Sequence, residues 1–550
     1  LTRLWSKLAH QVWSKLFNLS VRLFNGINSV TLFTRFAMIL GASCLVSGLA
    51  YADPIEVQVW HTLSSVNKSE FEKIAKQFNN EQSEVKVVLK GFDHQAALRA
   101  QATAAMTSPG AGKPNLVQIE DNRSPELIAQ HKNIVPLYDL LKRYPISDLN
   151  WFLSQTTGFM RDAQGRLMAF PFMAEIPVML YNLDGYKKAG LDATKPARTW
   201  PELQNHLLAL RDKAYYECPF GISQQVSTHL ENLAPINNAV FVTPGNGLEK
   251  SKQQPELNLA DPVFMRHMSI MVSWKRSELL TQYSNGTEAD AMFAKNKCAV
   301  ITSTSGALGE MLNARGLKFG MAPLPFYDQV SPKAGAPFVS GGALWAVSGH
   351  TKDAEKATVA FLAYLSKPVI AANWHQRTGY LPLTDAAFRA ANVSLYDKVP
   401  GIRLLVDSMR TVKDQNSRGF RARNYHSIEP ILTRQFDAAL SGNTPPVAAL
   451  TMALDESRPL MHDPALAKAA PAALNANGSS SEIMSCASIQ SQSFTACQST
   501  AVIIPARHRS GSGSCLRLLP SVAPCRPTRH RLISSDFIGC VRPIRCGAPC

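Results

Sequence analysis

Between residues 55 and 121 the chain changes its hydrophobic period several times, and that alternation narrows the fold more than any other feature. The runs 55-IEVQVW-60, 84-EVKVVLKG-91 and 116-LVQIED-121 have the apolar, β-branched character of strands. Between them, apolar residues recur at helical spacing over about 66–79 and 93–106. Strands joined by helices of that length make βαβ units, so an α/β layout with a mostly parallel sheet follows. The segment PGAGKPN, residues 109–115, lacks the spacing of a phosphate loop and serves to turn the chain into its third strand.

A second α/β block begins near residue 168. The apolar run 176–181 reads as a strand, and TWPELQ starts a helix with Thr199 and Glu202 at capping-box spacing. Further on, 297-KCAVITSTSGALGEML-312 is a strand running into a hydroxyl-rich turn and a helix, and 318-KFGMAPLPF-326 is another strand. In 338-FVSGGALWAVSGH-350 two glycines stand in a strand, where a missing side chain lets a neighbour or ligand approach the backbone. The stretch 53–470 exceeds one comfortable domain, and two α/β lobes joined by several crossings are expected.

The ends differ from this middle. Arg3, Lys7, Lys15, Arg22 and Arg35 stand without an acid in residues 1–52, and 471–550 carries eight arginines against Glu482 and Asp536, so eleven of the sixteen net positive charges lie outside the core. The basicity is therefore no signature of nucleic-acid binding. Arg35, the apolar run of 36–50 and Ala50-x-Ala52 before Asp53 make a secretory signal, with cleavage expected after Ala52. Cys218 and Cys298 are the core's two cysteines; an oxidising compartment permits a bond between them, although nothing in the sequence places them side by side. The tail 466–550, mixing Ser, Arg, Pro and seven cysteines without metal-site spacing, reads as disordered or frameshifted.

Chemistry is hard to find in this chain. There is no nucleophile elbow, no HExxH and no cofactor fingerprint, and neither a metal nor a cofactor is expected. A cleft between two lobes, lined by aromatic and short polar groups, would instead take up a small polar solute and close on it. A secreted carbohydrate-active enzyme is the alternative; it would need a carboxylate pair, and Glu175 with Asp121 is the one tempting combination.

The stretches VWHTLSSVNKSEFEKIAKQFN, FPFMAEIPVMLYNLDGYKKAGLD, STSGALGEM, FVSGGALWAV and above all 373-NWHQRTGYLPLTDAAF-388 resemble the family 1 extracellular solute-binding proteins, in particular those that capture glycerol-3-phosphate. The resemblance spans residues 55–450 and implies a two-lobe periplasmic binding protein fold. It also implies a non-enzymatic monomer in the periplasm that delivers solute to a membrane permease driven by a cytoplasmic ATPase. Expected solutes are glycerol-3-phosphate or a related glycerophosphodiester, with a neutral sugar or oligosaccharide as the alternative. The resemblance implies lobe I over 53–163, lobe II over 164–300, a return through lobe I over 301–340, and mainly lobe II with hinge crossings over 341–465.

Carried over position by position, the family's ligand contacts fall on Tyr380, Gly342 and Thr304, with Ser305 beside it. Its tyrosine after the second strand falls on Asp93, its glutamate after the third on Asp121, and a serine on Glu175. Its phosphate-holding arginine aligns on Glu429, with Arg421 and Arg423 close in sequence. Trp60, at the end of the first strand, is a candidate cleft wall. A pocket holding Asp93, Asp121, Glu175 and Glu429 would repel a phosphate unless a cation restores the balance. The expected sequence of events has solute meeting the lobe of Trp60, Asp93 and Asp121 first, after which the lobe of Glu175, Gly342 and Tyr380 closes.

Overall fold

The computed structural model describes residues 53–107, 112–120, 123–284, 286–411 and 415–462. The signal segment, the tail and Asp121 lie outside the described residues.

The first sheet contains β1 (Ile55–His61), β2 (Val85–Gly91), β3 (Leu116–Ile119), β4 (Ile134–Val135) and β5 (Phe170–Glu175). The second contains β6 (Pro177–Asn182) and β7 (Cys218–Ile222), and a separate ribbon pairs β8 (Val242–Thr243) with β9 (Glu256–Leu257). Then come β10 (Leu280–Thr281), β11 (Cys298–Thr304) and β12 (Phe319–Ala322) of the second sheet, and finally β13 (Ser340–Val347), which returns to the first. The first sheet runs β2-β1-β3-β13-β4 with β5 also on β13, and the second runs β10-β7-β11-β6-β12. β1 is parallel to β2 and β3, while β13 is antiparallel to its partners. This is a two-lobe periplasmic binding protein fold of the α/β class, with helices packed on both sheets.

The local elements follow from local signals. The helix Ser65–Glu81 buries Phe71, Ile74, Ala75 and Phe78, the 3.6-period stripe that faces the first core. Thr199 accepts from the Glu202 N–H and the Glu202 carboxylate reaches back to the Thr199 N–H, so the helix Trp200–Asp212 starts on the capping box its sequence announces. Cys218 and Cys298 are register partners on adjacent parallel strands and form a disulfide, Cα–Cα 4.5 Å.

The order in which the chain visits the sheets differs from expectation. Residues 301–340 are divided between the lobes: β11 and β12 belong to the second sheet, while the helix Leu308–Asn313 between them buries Leu308 and Met311 in the core that holds Phe71. The segment 341–465 is not mainly second lobe. β13 joins the first sheet, and the helices Lys352–Leu365 and Pro368–Thr378 bury Phe361, Leu365 and Trp374 in the core that holds Phe71; only 420–461 packs with Trp200 and Phe220 in the second. Which sheet a strand joins depends on pairing between residues more than a hundred positions apart, and strand pattern alone is the same for either choice.

Candidate functional site

The chain leaves the first sheet at Glu175 and enters the second at Pro177, so Ile176 is a crossing point and Glu175 stands at the junction. Beside it a cleft of about 620 Å³ is lined from both sheets. One wall is built by the loop after β1 and the start of the helix Ser65–Glu81, with Thr62, Ser64, Ser65 and Asn67, and by the helix Gln95–Thr107, with Gln95 and Arg99. Gln118 and Glu120, two residues apart at the end of β3, project together into it, where binding crevices of α/β sheets form. The other wall carries Ser227 and Glu231 from a single π-turn, Asp290, Thr304, Gly306 and Glu310.

The polar groups are tied into short chains. Thr62 N–H donates to Gln118 Oε1 at 3.0 Å, Thr62 Oγ1 to Glu120 Oε1 at 3.0 Å, and Gln95 Nε2 to Thr62 Oγ1 at 2.7 Å. Thr304 Oγ1 donates to Glu175 Oε2 at 2.8 Å, and Asn67 Nδ2 donates to the Gly306 carbonyl at 3.1 Å, linking the two walls. Buried Arg123 pairs with Glu231 and lies over the Phe420 ring at 4.2 Å, while Tyr425 OH donates to the other Glu231 oxygen at 2.5 Å. Tyr380 lines the cleft with its ring stacked on Trp374, centroids 5.5 Å apart, and Trp374 stacks on Phe172 in turn at 4.5 Å.

Negative charge dominates the site. Among the described residues six carboxyl residues line it, Glu120, Glu175, Glu231, Asp290, Glu310 and Glu429, against two guanidinium groups, of which Arg123 is held by Glu231. Burial, with the nearby charge of Glu120 and Asp290, pushes Glu175 up to about 7 in spite of the Thr304 bond. Burial and the charge of Glu310 push Asp290 up to about 7. Glu120 is also raised by desolvation: solvent reaches it along the open cleft, but protein on both sides excludes most of the water that would stabilise its charge. Burial and the carboxylates of Glu175 and Glu120 push the Tyr380 hydroxyl upward. Among the described residues no group of three or more His, Cys, Asp or Glu could hold a metal ion.

Of the residues singled out in the sequence, the structure brings Glu175, Thr304, Gly342, Tyr380 and Glu429 to the cleft. Ser305 is buried beside it, its N–H and Oγ bonded to the Ile176 backbone at 2.7 and 3.3 Å, and so clasps the crossing point without lining the cleft. Trp60 is no cleft wall. A parallel strand covered on both faces buries both sets of side chains, and Trp60 packs on Phe92 at 5.3 Å under Lys90 Nζ. Asp93 is exposed outside the cleft, and Asp121 lies outside the described residues. Glu175, Gly342 and Tyr380 do not belong to a lobe opposite Trp60: β5 and β13 are strands of the first sheet, and the Tyr380 ring packs in its core.

Arg421 and Arg423 also stand apart from the cleft. Phe420 and Ala422 are buried, so the alternating positions 421 and 423 point away from that core. Arg421 pairs with Glu126 at 3.0 Å and donates to the Gly158 and Arg161 carbonyls at 2.7 Å, and Arg423 is exposed. Sequence reasoning missed Gln118, Glu120, Arg99, Arg123 and Asp290. Glu120 was one residue away, since the strand-end rule picks a position and the pleat decides which neighbour faces inward. Asp290, beside buried Ala289 and one turn before buried Phe293, carries a faint signal as an acid next to an apolar helix stripe.

The sequence pattern of a bacterial extracellular solute-binding protein family matches residues 73–401, more than half of the chain. A relative from Brucella abortus (strain 2308), an sn-glycerol-3-phosphate-binding periplasmic protein, is 29% identical over 431 residues, covering 77% of this chain and 98% of its own. Another of that description, from Yersinia pseudotuberculosis, is 30% identical over 402 residues, covering 72% and 90%. Among solved structures, UgpB from Mycobacterium tuberculosis in complex with glycerophosphocholine superposes with a TM-score of 0.59 at 17% identity, covering 74% of this chain and 98% of that one, a likeness of fold. With its fold, its cleft at the sheet crossing and this family match, the chain belongs to the bacterial extracellular solute-binding proteins.

Proposed function

We propose that the protein is the periplasmic solute-binding component of an ABC importer, capturing a glycerophosphodiester and presenting it to a membrane permease driven by a cytoplasmic ATPase. The observation that carries the ligand class is the acidity of the cleft, where among the described residues six carboxyl residues face Arg99 and an Arg123 already held by Glu231. A phosphate monoester brings about two negative charges at neutral pH, and a diester one, so the diester pays less repulsion there. The names of the Brucella and Yersinia relatives support the glycerol phosphate part of the reading. The hydroxyl-bearing residues and Gln95, Asn67 and Gln118 supply donors and acceptors for a glycerol unit. In this reading the protein acts by capture without turnover, and the Thr304 hydroxyl beside Glu175 serves to hold the carboxylate.

Calorimetric titration of ligand-stripped protein with glycerol-3-phosphate, glycerophosphocholine, glycerophosphoglycerol and a neutral disaccharide tests this. Diesters are expected to bind more tightly than the monoester. Binding of the disaccharide alone would transfer the protein to sugar uptake, and hydrolysis of a diester lost in Glu175→Gln would make it an enzyme.

A further inference from the structure

Asp290 is an acid in the first turn of a helix, where negative charge is favoured, and among the described residues one of its oxygens is left without a partner. It sits in the helix Glu288–Ala294, is 2% exposed and lines the cleft, and among the described residues its Oδ1 has no hydrogen-bond partner. Its backbone N–H donates to Ser223 Oγ at 3.1 Å, which anchors the helix. The hydroxyls of Ser223 and Ser303 stand near enough to favour the ionised carboxylate, yet Ser303 Oγ makes no well-formed hydrogen bond either. An orphaned carboxyl oxygen costs stability, so its retention at the wall of a binding cleft points to a partner that arrives from outside.

The surroundings say which sign of partner. Glu310, on the helix Leu308–Asn313, repels Asp290; Asp290 and Glu120 repel Glu175. Asp290, Glu175 and Glu310 enter no salt bridge among the described residues. The remaining walls bring little relief. The π-turn presents Glu231, already taken by Arg123 and Tyr425, Arg99 acts on Glu120, and the helix Tyr425–Leu440 presents His426 and Glu429. Crowded, desolvated carboxyls are stable in two ways, with protons on them or with a cation among them.

We propose that Asp290, Glu175 and Glu310 form a receptor for a cationic group of the solute, and that the entering cation displaces protons held by Asp290 and Glu175 in the empty cleft. The carboxyl O–H bond breaks, its proton passes to solvent, and the carboxylate left behind neutralises the cation. An alkylammonium is the class that fits, since the Tyr380 ring, backed by Trp374, lines the same cleft and a ring face attracts a weakly hydrated cation. This receptor presupposes the capture of phosphodiesters proposed above, so its test uses two diesters of equal phosphate charge.

Calorimetry in two buffers of different ionisation enthalpy, near pH 7, compares glycerophosphocholine, which carries an ammonium, with glycerophosphoglycerol, which does not. Buffer-dependent heat, reporting proton release, is expected for the first and not for the second. Asp290→Asn is expected to remove the buffer dependence and to cost glycerophosphocholine about tenfold more affinity than glycerophosphoglycerol, the effect of losing one desolvated charge partner. Glu310→Gln, read the same way alongside circular dichroism, covers the case in which the first variant misfolds. Equal affinities for the two diesters without proton release would overturn the receptor and leave diester capture standing; binding of neither diester would overturn both.

Discussion

Thr304 Oγ1 donates to Glu175 Oε2 at 2.8 Å, so the last residue of a strand in one sheet holds the last residue of a strand in the other. The bond favours the charged carboxylate, opposing burial, which has raised it to about 7. Thr304→Val keeps the shape and removes the donor. At pH 8 urea unfolding is expected to show a loss of about 1 kcal/mol, and at pH 5, where the carboxyl is protonated, a smaller one. An equal loss at both pH values would mean that the charge on Glu175 is not what the hydroxyl serves.

Gly306 lies against that same carboxyl. A methyl group there would overlap Glu175 Oε2 and meet the Tyr380 ring at 3.2 Å. Gly306→Ala is expected to weaken solute binding about tenfold while costing about 1–3 kcal/mol of stability, measured by calorimetry and thermal unfolding. Unchanged affinity would remove this corner from the site.

Arg123 and Glu231 are buried and paired across the cleft. Arg123→Met leaves Glu231 with Tyr425 alone and is expected to cost about 3–5 kcal/mol. Adding Glu231→Gln should recover a large part of that cost, because the uncompensated charge disappears with it. A double-mutant cycle in urea measures the coupling, and simple additivity would show that the pair contributes little.

His229 and His267 are stacked and fully buried, His229 bonded to Thr302 at 2.7 Å and to His267 at 2.8 Å, with His267 bonded to Tyr327 at 2.9 Å. Burial depresses both, His267 to about 3. The folded state therefore binds fewer protons than the unfolded one below the ordinary histidine value of 6.5, and stability contributed by neutral burial is lost as pH falls from there toward 3. Asp290 and Glu175 act with the opposite sign, since their folded values are raised and their contribution weakens as pH rises toward 7. The comparison of parent with His267→Gln isolates the histidine part: its urea midpoint should fall less steeply between pH 6.5 and 4, and parallel curves would count against it.

The Cys218–Cys298 bond closes a loop of sequence separation 80 within the second sheet. Replacing both with alanine is expected to cost roughly 4 kcal/mol by loop entropy, read from urea unfolding. Solute affinity should change little, because neither cysteine lines the cleft.

Much of the local structure was legible in the sequence. The period switches over 55–121 predict strands and helices that the structure places at Ile55–His61, Ser65–Glu81, Val85–Gly91, Gln95–Thr107 and Leu116–Ile119, and the Thr199 capping box starts its helix. These features depend on residues within one or two turns of each other, so a single chain segment carries the whole signal. The family resemblance also located Glu175, Thr304, Gly342, Tyr380 and Glu429 at the cleft.

Tertiary structure decided the rest. Trp60, Arg421 and Arg423 look in sequence like candidates for a polar pocket, and pairing buries the first behind Phe92 and turns the other two away. Arg123 carries no local mark and Glu120 and Asp290 only a faint one, and the three line one cleft only because strands distant in sequence are brought to one crossing between the sheets. The sequence by itself determined the elements, because propensity, capping and hydrophobic period act over a few residues; sheet order and the charge of the cleft were decided only when strands far apart in the chain chose their partners, a choice that local pattern does not encode.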